Sequence, residues 1–188
     1  MIIIPEEKKI DFLEAPCDLT DDQKELIRHA ITPGGNFLWL FREATRKFNY
    51  FGHILMDRSE NPLVSGQISS PFFEPFNQIF QNFCKKHNIP VKTILRSSIN
   101  NNYFYPDKFG DIHLDHNFPH YNFLLYMNDF TDGPTFLFNE DGTNIIREIK
   151  AEKYKAVIFP GVPHAAGFCA PGENRIVMIT TFTTHPMY

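Results

Sequence analysis

The stretch YNFLLYMNDFTDGPTFLFN, residues 121–139, contains two short apolar runs on either side of a turn. Short runs that are rich in aromatic and aliphatic residues and bounded by turn signals are typical of β-strands. The pair Asp132–Gly133 is such a signal, because both residue types are common in tight turns. Two consecutive strands are therefore predicted here.

Runs of the same kind lie on both sides of this stretch. After residue 90 they are separated by further turn pairs, such as Pro160–Gly161 and Pro171–Gly172, and no helical pattern lies between them. Many short strands at near-regular spacing are typical of an antiparallel sandwich or barrel. The other predicted strands are NFLWLF (36–41), YFGHILM (50–56), VKTILRSSI (91–99), TNIIREI (143–149), YKAVIF (154–159) and NRIVMITTF (174–182).

Two helices are predicted in the first half of the chain. TDDQKELIRHA (20–30) begins with Thr20 as a candidate N-cap, and Gln23 follows three residues later, which is a capping-box pattern. EPFNQIFQNFCKKHN (74–88) has Phe and Ile residues at helical spacing and ends in basic residues. We expect both helices to pack on one outer face of the β structure.

Length and composition predict one domain. The chain has 188 residues, of which 43% are hydrophobic and 20 are Phe, and this is enough for one sizeable core. We predict a single domain over residues 1–188, with helices and supporting strands in 1–90 and the strand-rich core in 91–188.

Charge and cysteine usage limit the partners and the compartment. The formal net charge is -4, whereas nucleic-acid binders usually carry a basic patch, so nucleic acid is not an expected partner. Cys17, Cys84 and Cys169 are far apart and suggest no disulfide framework. The start of the chain, MIIIPEEKKI, lacks a signal-peptide pattern, and no segment is long enough to span a membrane. We expect a soluble, cytoplasmic protein.

The stretch GDIHLDH (110–116) places two imidazoles and a carboxylate close together. On a strand, residues two apart face the same side, so His113 and Asp115 would converge while Leu114 packs on the other side. His164, which follows an apolar strand and a tight turn, is a candidate third ligand. Two His and one carboxylate form the facial triad of non-haem Fe(II) oxygenases. The alternative is an ordinary polar segment, because an HxD triplet alone is a weak signal.

Arg175 lies in the last predicted strand. Alternation places its side chain on the same face as Val177, Ile179 and Thr181, and a buried cation is costly unless it meets an anion. The planar guanidinium group is well suited to a carboxylate. The sequence therefore predicts a metal site with an anion-binding arginine beside it.

In the order of these motifs the chain resembles the 2-oxoglutarate- and Fe(II)-dependent oxygenases, and within them the prolyl 4-hydroxylase-like branch. The resemblance covers about residues 91–182. It rests on YPDKFGDIHLD, LLYMND, DGPTFLF, AVIFPGVPHAAG and ENRIVMITTF. It implies a mainly β fold, the double-stranded β-helix or jelly roll, with supporting N-terminal helices.

The resemblance also implies a role for each matched residue. Three residues match the iron ligands of the family: His113, Asp115 and His164. Arg175 would bind the distal carboxylate of 2-oxoglutarate, and Tyr126 would hydrogen-bond the same group. Tyr105 would line the cosubstrate pocket, with Tyr103 as the alternative if the register differs.

Three features depart from the family pattern. Pro134 stands where the family has the second glycine of a pair, and the spacing from His164 to Arg175 is slightly longer than in most members. His116 and His120 follow the HxD motif closely and are not part of the usual pattern. They could shape the substrate mouth or shuttle protons. We favour the alternative that both are surface-loop histidines.

The activity implied by the resemblance is hydroxylation of an unactivated C–H bond with Fe(II), 2-oxoglutarate as cosubstrate and O2. By analogy the substrate is a residue of a protein or peptide, such as proline. The alternatives are a free amino acid or another small metabolite as substrate, and a non-catalytic jelly-roll or cupin-like binding module. Residues 57–72 and 101–111 are expected to decide which substrate can enter. The oligomeric state stays open.

Overall fold

The computed structural model describes residues 10–32, 34, 37–43 and 48–184. Within these ranges strands dominate and two helices accompany them, as predicted. The helices are α1 (Asp21–Ile31) and α2 (Phe73–Lys86). The strands are β1 (Leu13–Pro16), β2 (Leu40–Glu43), β3 (Asn49–Met56), β4 (Thr93–Tyr103), β5 (Tyr121–Tyr126), β6 (Thr135–Phe138), β7 (Ile145–Ile149), β8 (Lys155–Pro160), β9 (His164–Ala166) and β10 (Asn174–Thr183).

The strands form two antiparallel sheets. The larger sheet has seven strands in the order β1-β8-β5-β10-β4-β3-β2, and the smaller has three in the order β7-β6-β9. The crossovers between non-consecutive strands are those of a jelly roll, so the predicted fold class is confirmed. The three N-terminal strands join the same sheet as β4, β5, β8 and β10.

Both helices pack on one outer face of the larger sheet, as predicted. Ile27 from α1 is fully buried in the same apolar cluster as Phe76 and Phe80 from α2. The ring of Phe80 lies 5.2 Å from that of Phe123 on β5 and 5.1 Å from that of Phe182 on β10. Burial of each such side chain contributes about 1.5–3 kcal/mol, so the Phe spacing of α2 holds the helix on the sheet.

Helix α1 begins with the capping box that the sequence indicates. The backbone N–H of Gln23 donates to the Thr20 hydroxyl over 3.2 Å, and the Thr20 N–H donates to the Gln23 side chain over 3.1 Å. These bonds satisfy two donors that the first helical turn leaves free.

A second apolar cluster contains side chains from both sheets. Its fully or nearly fully buried members include Leu124 and Tyr126 from β5, Leu137 from β6 and Val177 from β10. This cluster forms the interior of the jelly roll. Leu124 and Val177 also line the main cavity described below, so part of the cavity lining is held by the packing of this second cluster.

Two local predictions are wrong. The HLD segment is not a regular strand: His113 forms an isolated bridge with His164, and the chain bends at Asp115. Leu114 is 46% exposed rather than packed in the interior. The bend has a physical cause, because Arg58 donates to both the carbonyl and the carboxylate of Asp115 and holds the chain there.

The strand predicted at 36–41 begins only at Leu40, and residue 36 lies outside the described ranges. The three cysteines are buried and unpaired, which agrees with the prediction. In the described part of the chain, no helix combines the length and the apolar character needed to cross a bilayer.

Candidate active site

His113, Asp115 and His164 come together at one end of the jelly roll. One nitrogen of each histidine and one carboxylate oxygen all lie within 4.8 Å of one another. His164 is the first residue of β9, and its backbone N–H and carbonyl pair with those of His113 over 3.0 Å in each direction. This bridge fixes the two histidine-bearing segments side by side.

Each of the two histidine rings is held by a backbone carbonyl at its Nδ1 atom. Nδ1 of His113 lies 3.0 Å from the carbonyl oxygen of Asp111, and Nδ1 of His164 lies 2.9 Å from that of Val162. A proton on each Nδ1 completes these hydrogen bonds and leaves the Nε2 lone pair free for a metal. Burial lowers the pKa of His164 to about 4, so this ring is neutral and able to act as a ligand at pH 7.

Two arginines hold the Asp115 carboxylate. Nη1 of Arg96 donates to Oδ1 over 2.8 Å, and Nη2 of Arg58 donates to the same oxygen over 3.2 Å. Oδ2 faces Nε2 of His164 at 3.4 Å. Burial by itself would raise the pKa of Asp115, but the nearby positive charge, led by Arg96, lowers the pKa well below its usual range. The carboxylate is therefore ionised, with one oxygen taken by arginines and the other turned toward the histidines.

These three side chains fit a divalent transition metal. Two imidazole nitrogens with free lone pairs and one ionised carboxylate oxygen make the two-histidine, one-carboxylate donor set that suits Fe(II). The backbone acceptors on both Nδ1 atoms supply the outer contacts that usually orient such ligands.

Arg175 projects from β10 into the same cavity. Its side chain is 3% exposed, its Nε donates to the carbonyl of Gly133 over 2.9 Å, and its Nη2 donates to Thr135 Oγ1 over 2.8 Å. Both partners are neutral, and among the described residues no carboxylate forms an ion pair with this guanidinium group. A buried cation held in this way favours a negatively charged ligand.

The cavity that contains these groups has a volume of about 290 Å³. The triad and Arg175 line it together with Val177 and Ile179, so the alternation predicted for β10 is confirmed for these residues. Phe48 and Tyr50 form an aromatic side of the cavity. Its size is at the lower end for small-molecule sites.

The three tyrosines singled out in the sequence lie near the cavity but are not among the residues that line it. Tyr126 is fully buried, its hydroxyl lies 2.7 Å from Thr135 Oγ1, and the Arg175 guanidinium carbon is 5.5 Å from the centre of its ring. The Tyr105 hydroxyl accepts a hydrogen bond from the Asn49 backbone over 3.0 Å. Tyr103 is 43% exposed at the end of β4.

Sequence reasoning missed two arginines and two asparagines that line the cavity. Arg96, Asn100 and Asn102 share one face of β4, and Asn102 pairs with Arg175 across the sheet. The period-two pattern of TILRSSINNN was the signal that could have found them. Arg58 lies in a polar segment after β3, and nothing in its local sequence distinguishes it from a solvated turn.

His116 and His120 are not surface-loop histidines, so that prediction is wrong. They are 3% and 4% exposed, and their rings lie 4.8 Å apart. Nε2 of His116 lies 2.9 Å from Thr181 Oγ1, and Nδ1 of His120 lies 2.8 Å from the Phe118 carbonyl. Burial lowers the pKa of His116 to about 4. The pair therefore belongs to the packed wall behind Asp115.

No family model and no curated protein matches the sequence. Solved structures do match. An oxidoreductase of the 2OG-Fe(II) oxygenase family from Burkholderia pseudomallei has a TM-score of 0.68 at 12% identity, covering 95% of this chain and 87% of its own. A Pseudomonas putida prolyl-4-hydroxylase has a TM-score of 0.53 at 15% identity, covering 93% and 92%.

A prolyl hydroxylase from Trichoplax adhaerens, in complex with a peptide fragment of the hypoxia inducible factor oxygen degradation domain, has a TM-score of 0.59. Its identity to this chain is 9%, and the match covers 92% of this chain and 83% of that one. The chain therefore has the fold of the 2-oxoglutarate- and Fe(II)-dependent oxygenases. The fold named in the sequence analysis is the one observed.

Proposed function

We propose that this protein is a non-haem Fe(II)- and 2-oxoglutarate-dependent dioxygenase that hydroxylates an unactivated C–H bond. The observation that carries the proposal is the convergence of three ligand atoms within 4.8 Å beside the buried Arg175, in one cavity. The shared fold adds support but does not carry the proposal, because folds of this kind host several functions.

Each site residue has a task in this proposal. Three residues would bind the metal: His113, Asp115 and His164. Arg175 would bind the distal carboxylate of 2-oxoglutarate through the donors that Gly133 and Thr135 leave free. Tyr126 was predicted to hydrogen-bond the same carboxylate; because its hydroxyl contacts Thr135, we propose instead that it positions Arg175 through that shared hydroxyl. Tyr105 or Tyr103 would support the cavity wall.

When bound, Fe(II) with 2-oxoglutarate and O2 supplies oxidative decarboxylation to succinate and CO2 and the hydroxylation of the substrate. The chain's own residues prepare for this. The backbone acceptors of Asp111 and Val162 keep both Nε2 atoms unprotonated. The apolar lining of Leu124, Val177 and Ile179 keeps water away from the cosubstrate.

For the substrate, we propose a residue of a peptide or protein, such as proline. The peptide complex of the Trichoplax adhaerens prolyl hydroxylase supports this choice by analogy. A free amino acid or a small metabolite is the second candidate, and the small cavity volume of about 290 Å³ favours it. We propose no role for nucleic acid.

The experiment is to add Fe(II) and 2-oxoglutarate to the metal-free protein without oxygen and to record the visible spectrum. A charge-transfer band of the chelate is the expected result, and a folded protein that binds Fe(II) and 2-oxoglutarate without this band would contradict the proposal. If neither binds, the protein is a jelly-roll binding module instead.

A further inference from the structure

We propose that Arg58 and Arg96 form an anion subsite, and that the substrate carries a carboxylate or a phosphate close to the C–H bond that reacts. This inference rests on the proposed function and adds a substrate class to it. The two arginines line the same cavity as the triad and Arg175, on the side of Asp115 that faces away from His164.

The two guanidinium groups converge on a single acceptor atom. Arg96 and Arg58 both donate to Oδ1 of Asp115, at 2.8 Å and 3.2 Å, and Arg58 also donates to the Asp115 carbonyl. The remaining contact of Arg96 is a long one, 3.4 Å to Ser98 Oγ. A guanidinium group has five N–H donors, so several donors of each arginine have no partner among the described residues. The side chain of Arg58 is 34% exposed and that of Arg96 is 18% exposed, so a ligand can reach both.

The charge of the cavity favours an anion. Among the described residues, three arginines and two carboxylates, Asp111 and Asp115, line it. Arg175 would pair with one carboxylate of 2-oxoglutarate, and a divalent metal would balance the other carboxylate together with Asp115. Arg58 and Arg96 would then carry two positive charges against the single negative charge of Asp111. This excess of one positive charge in a partly enclosed site attracts an anionic ligand.

The position of the subsite limits the kind of substrate. Both arginines contact Oδ1 of Asp115, and Oδ2 of the same carboxylate is turned toward the metal position. An anion bound by the arginines would therefore be separated from the metal position only by the Asp115 carboxylate. With 2-oxoglutarate in a cavity of about 290 Å³, the space left fits a small acid or one residue. Phe48 and Tyr50 on the same cavity would pack against its apolar part.

A purely positioning role is the competing explanation, in which both arginines serve only to hold Asp115. The two explanations differ in one measurable property, namely whether a free anion binds beside bound 2-oxoglutarate. We would use propionate, inorganic phosphate and propionamide as probes, because propionate and propionamide have similar shape and differ in charge.

The experiment is calorimetric titration of the protein loaded with Fe(II) and saturating 2-oxoglutarate, without oxygen. We expect propionate or phosphate to bind at least about ten-fold more tightly than propionamide, because charge-assisted hydrogen bonds to arginine are lost in the amide. The chelate band should persist during the titration. Equal binding of propionate and propionamide with no binding of phosphate, or loss of the band as an anion displaces 2-oxoglutarate, would overturn the subsite.

Substitutions of Arg58 test whether propionate binds at the proposed subsite. Arg58→Gln should weaken propionate binding at least about five-fold and Arg58→Lys should retain most of it, because Lys keeps the charge. Arg147→Gln on β7 is the matched control, since Arg147 stacks on Phe12 and does not line the cavity. Arg58→Gln could lose the chelate band because Arg58 also holds Asp115. In that case the comparison of propionate with propionamide in the unaltered protein still decides whether the subsite binds an anion.

A second titration distinguishes the sources of the anion. N-acetylproline offers a free terminal carboxylate, whereas a capped peptide with one internal glutamate offers only a side-chain carboxylate. Tighter binding of the first indicates a free acid as substrate, and tighter binding of the second indicates an acidic peptide. If the chelate band never forms, the proposed function fails; if it forms and no anion binds, only the subsite fails.

Discussion

Arg96 donates to Oδ1 of Asp115 over 2.8 Å, and the other oxygen of the same carboxylate is left facing the histidines. The carboxylate therefore cannot turn both oxygens toward a metal. A contact of this kind fixes a ligand in a single-oxygen geometry and keeps it ionised.

Arg96→Leu should weaken metal binding by about ten-fold, because Asp115 loses the shorter of the two arginine contacts that orient it. Removal of a positive charge near the metal acts in the opposite direction, but Oδ1 would keep only the 3.2 Å contact with Arg58, and the less well oriented carboxylate costs more. The measurement is titration with Co(II), whose visible spectrum reports both affinity and coordination. Arg96→Lys is the control, and an unchanged spectrum in the Leu variant would show that Arg96 does not orient Asp115.

Asp115→Ala should abolish metal binding, with a Co(II) affinity at least about a hundred-fold weaker, because the only carboxylate of the triad is lost. The metal-free variant should also be less stable by about 1–3 kcal/mol, since two arginines lose their shared partner. Urea denaturation measures the second effect. Asp129→Ala removes a surface carboxylate paired with Lys153 and should change stability by less than about 1 kcal/mol. Full metal occupancy in Asp115→Ala would refute the triad.

Arg175→Leu should weaken 2-oxoglutarate binding by about ten- to a hundred-fold, because hydrogen bonds to a charged group are worth about 1.5–3 kcal/mol. Co(II) binding should be nearly unchanged, since Arg175 contacts Gly133 and Thr135 and not the triad. The 2-oxoglutarate affinity of Arg175→Lys should lie between those of the unaltered protein and Arg175→Leu, because lysine keeps the positive charge but lacks the paired donors of the guanidinium group. Equal 2-oxoglutarate affinity in all three proteins would place the cosubstrate elsewhere.

The sequence predicted eight of the ten described strands, both helices and the grouping of the triad with Arg175, because these follow from local pattern and motif order; the short strands β1 and β9 were not predicted. It could not predict the bend at Asp115, since that bend depends on Arg58, which is 57 residues away along the chain. The burial of His116 and His120 has the same origin: Thr181, which contacts His116, comes 65 residues later. A sequence pattern predicts that a polar residue is exposed when the partner that would bury it is distant along the chain. Arg96 is different, because strand alternation in β4 would have been sufficient to predict that it faces the same side as Asn100 and Asn102, although the sequence analysis did not use it.

Acid should destabilise the metal-free protein between pH 7.5 and pH 5. Burial lowers the pKa of His116 and His164 to about 4, below the value of about 6.5 in the unfolded chain. Their neutral forms therefore contribute stability above pH 6.5, and this is lost as the pH falls toward 4. Between pH 7.5 and pH 5, the free energy of unfolding measured by urea denaturation should decrease by about 2–4 kcal/mol for the two rings together. His116→Gln should flatten the dependence, whereas a free energy of unfolding that stays constant or rises would contradict the burial of neutral rings.

Gly66 allows the close approach that brings Arg58 to the site. A Cβ at this position would lie 1.9 Å from the carbonyl oxygen of Asp57 and 2.9 Å from that of Leu95, and both are backbone atoms. Gly66→Ala must therefore displace the segment that carries Arg58, and we expect a loss of stability of about 1–3 kcal/mol. Thermal unfolding measures this loss, with Ser65→Ala at the exposed neighbouring position as control.

Gly66→Ala also distinguishes the contributions of the two arginines of the subsite. Because Arg96 is on β4 and keeps its contact with Asp115, Co(II) binding by Gly66→Ala should remain while propionate binding weakens. If Gly66→Ala is as stable as Ser65→Ala and binds propionate as tightly, the segment is free to move and Arg58 is not held at the cavity by this packing.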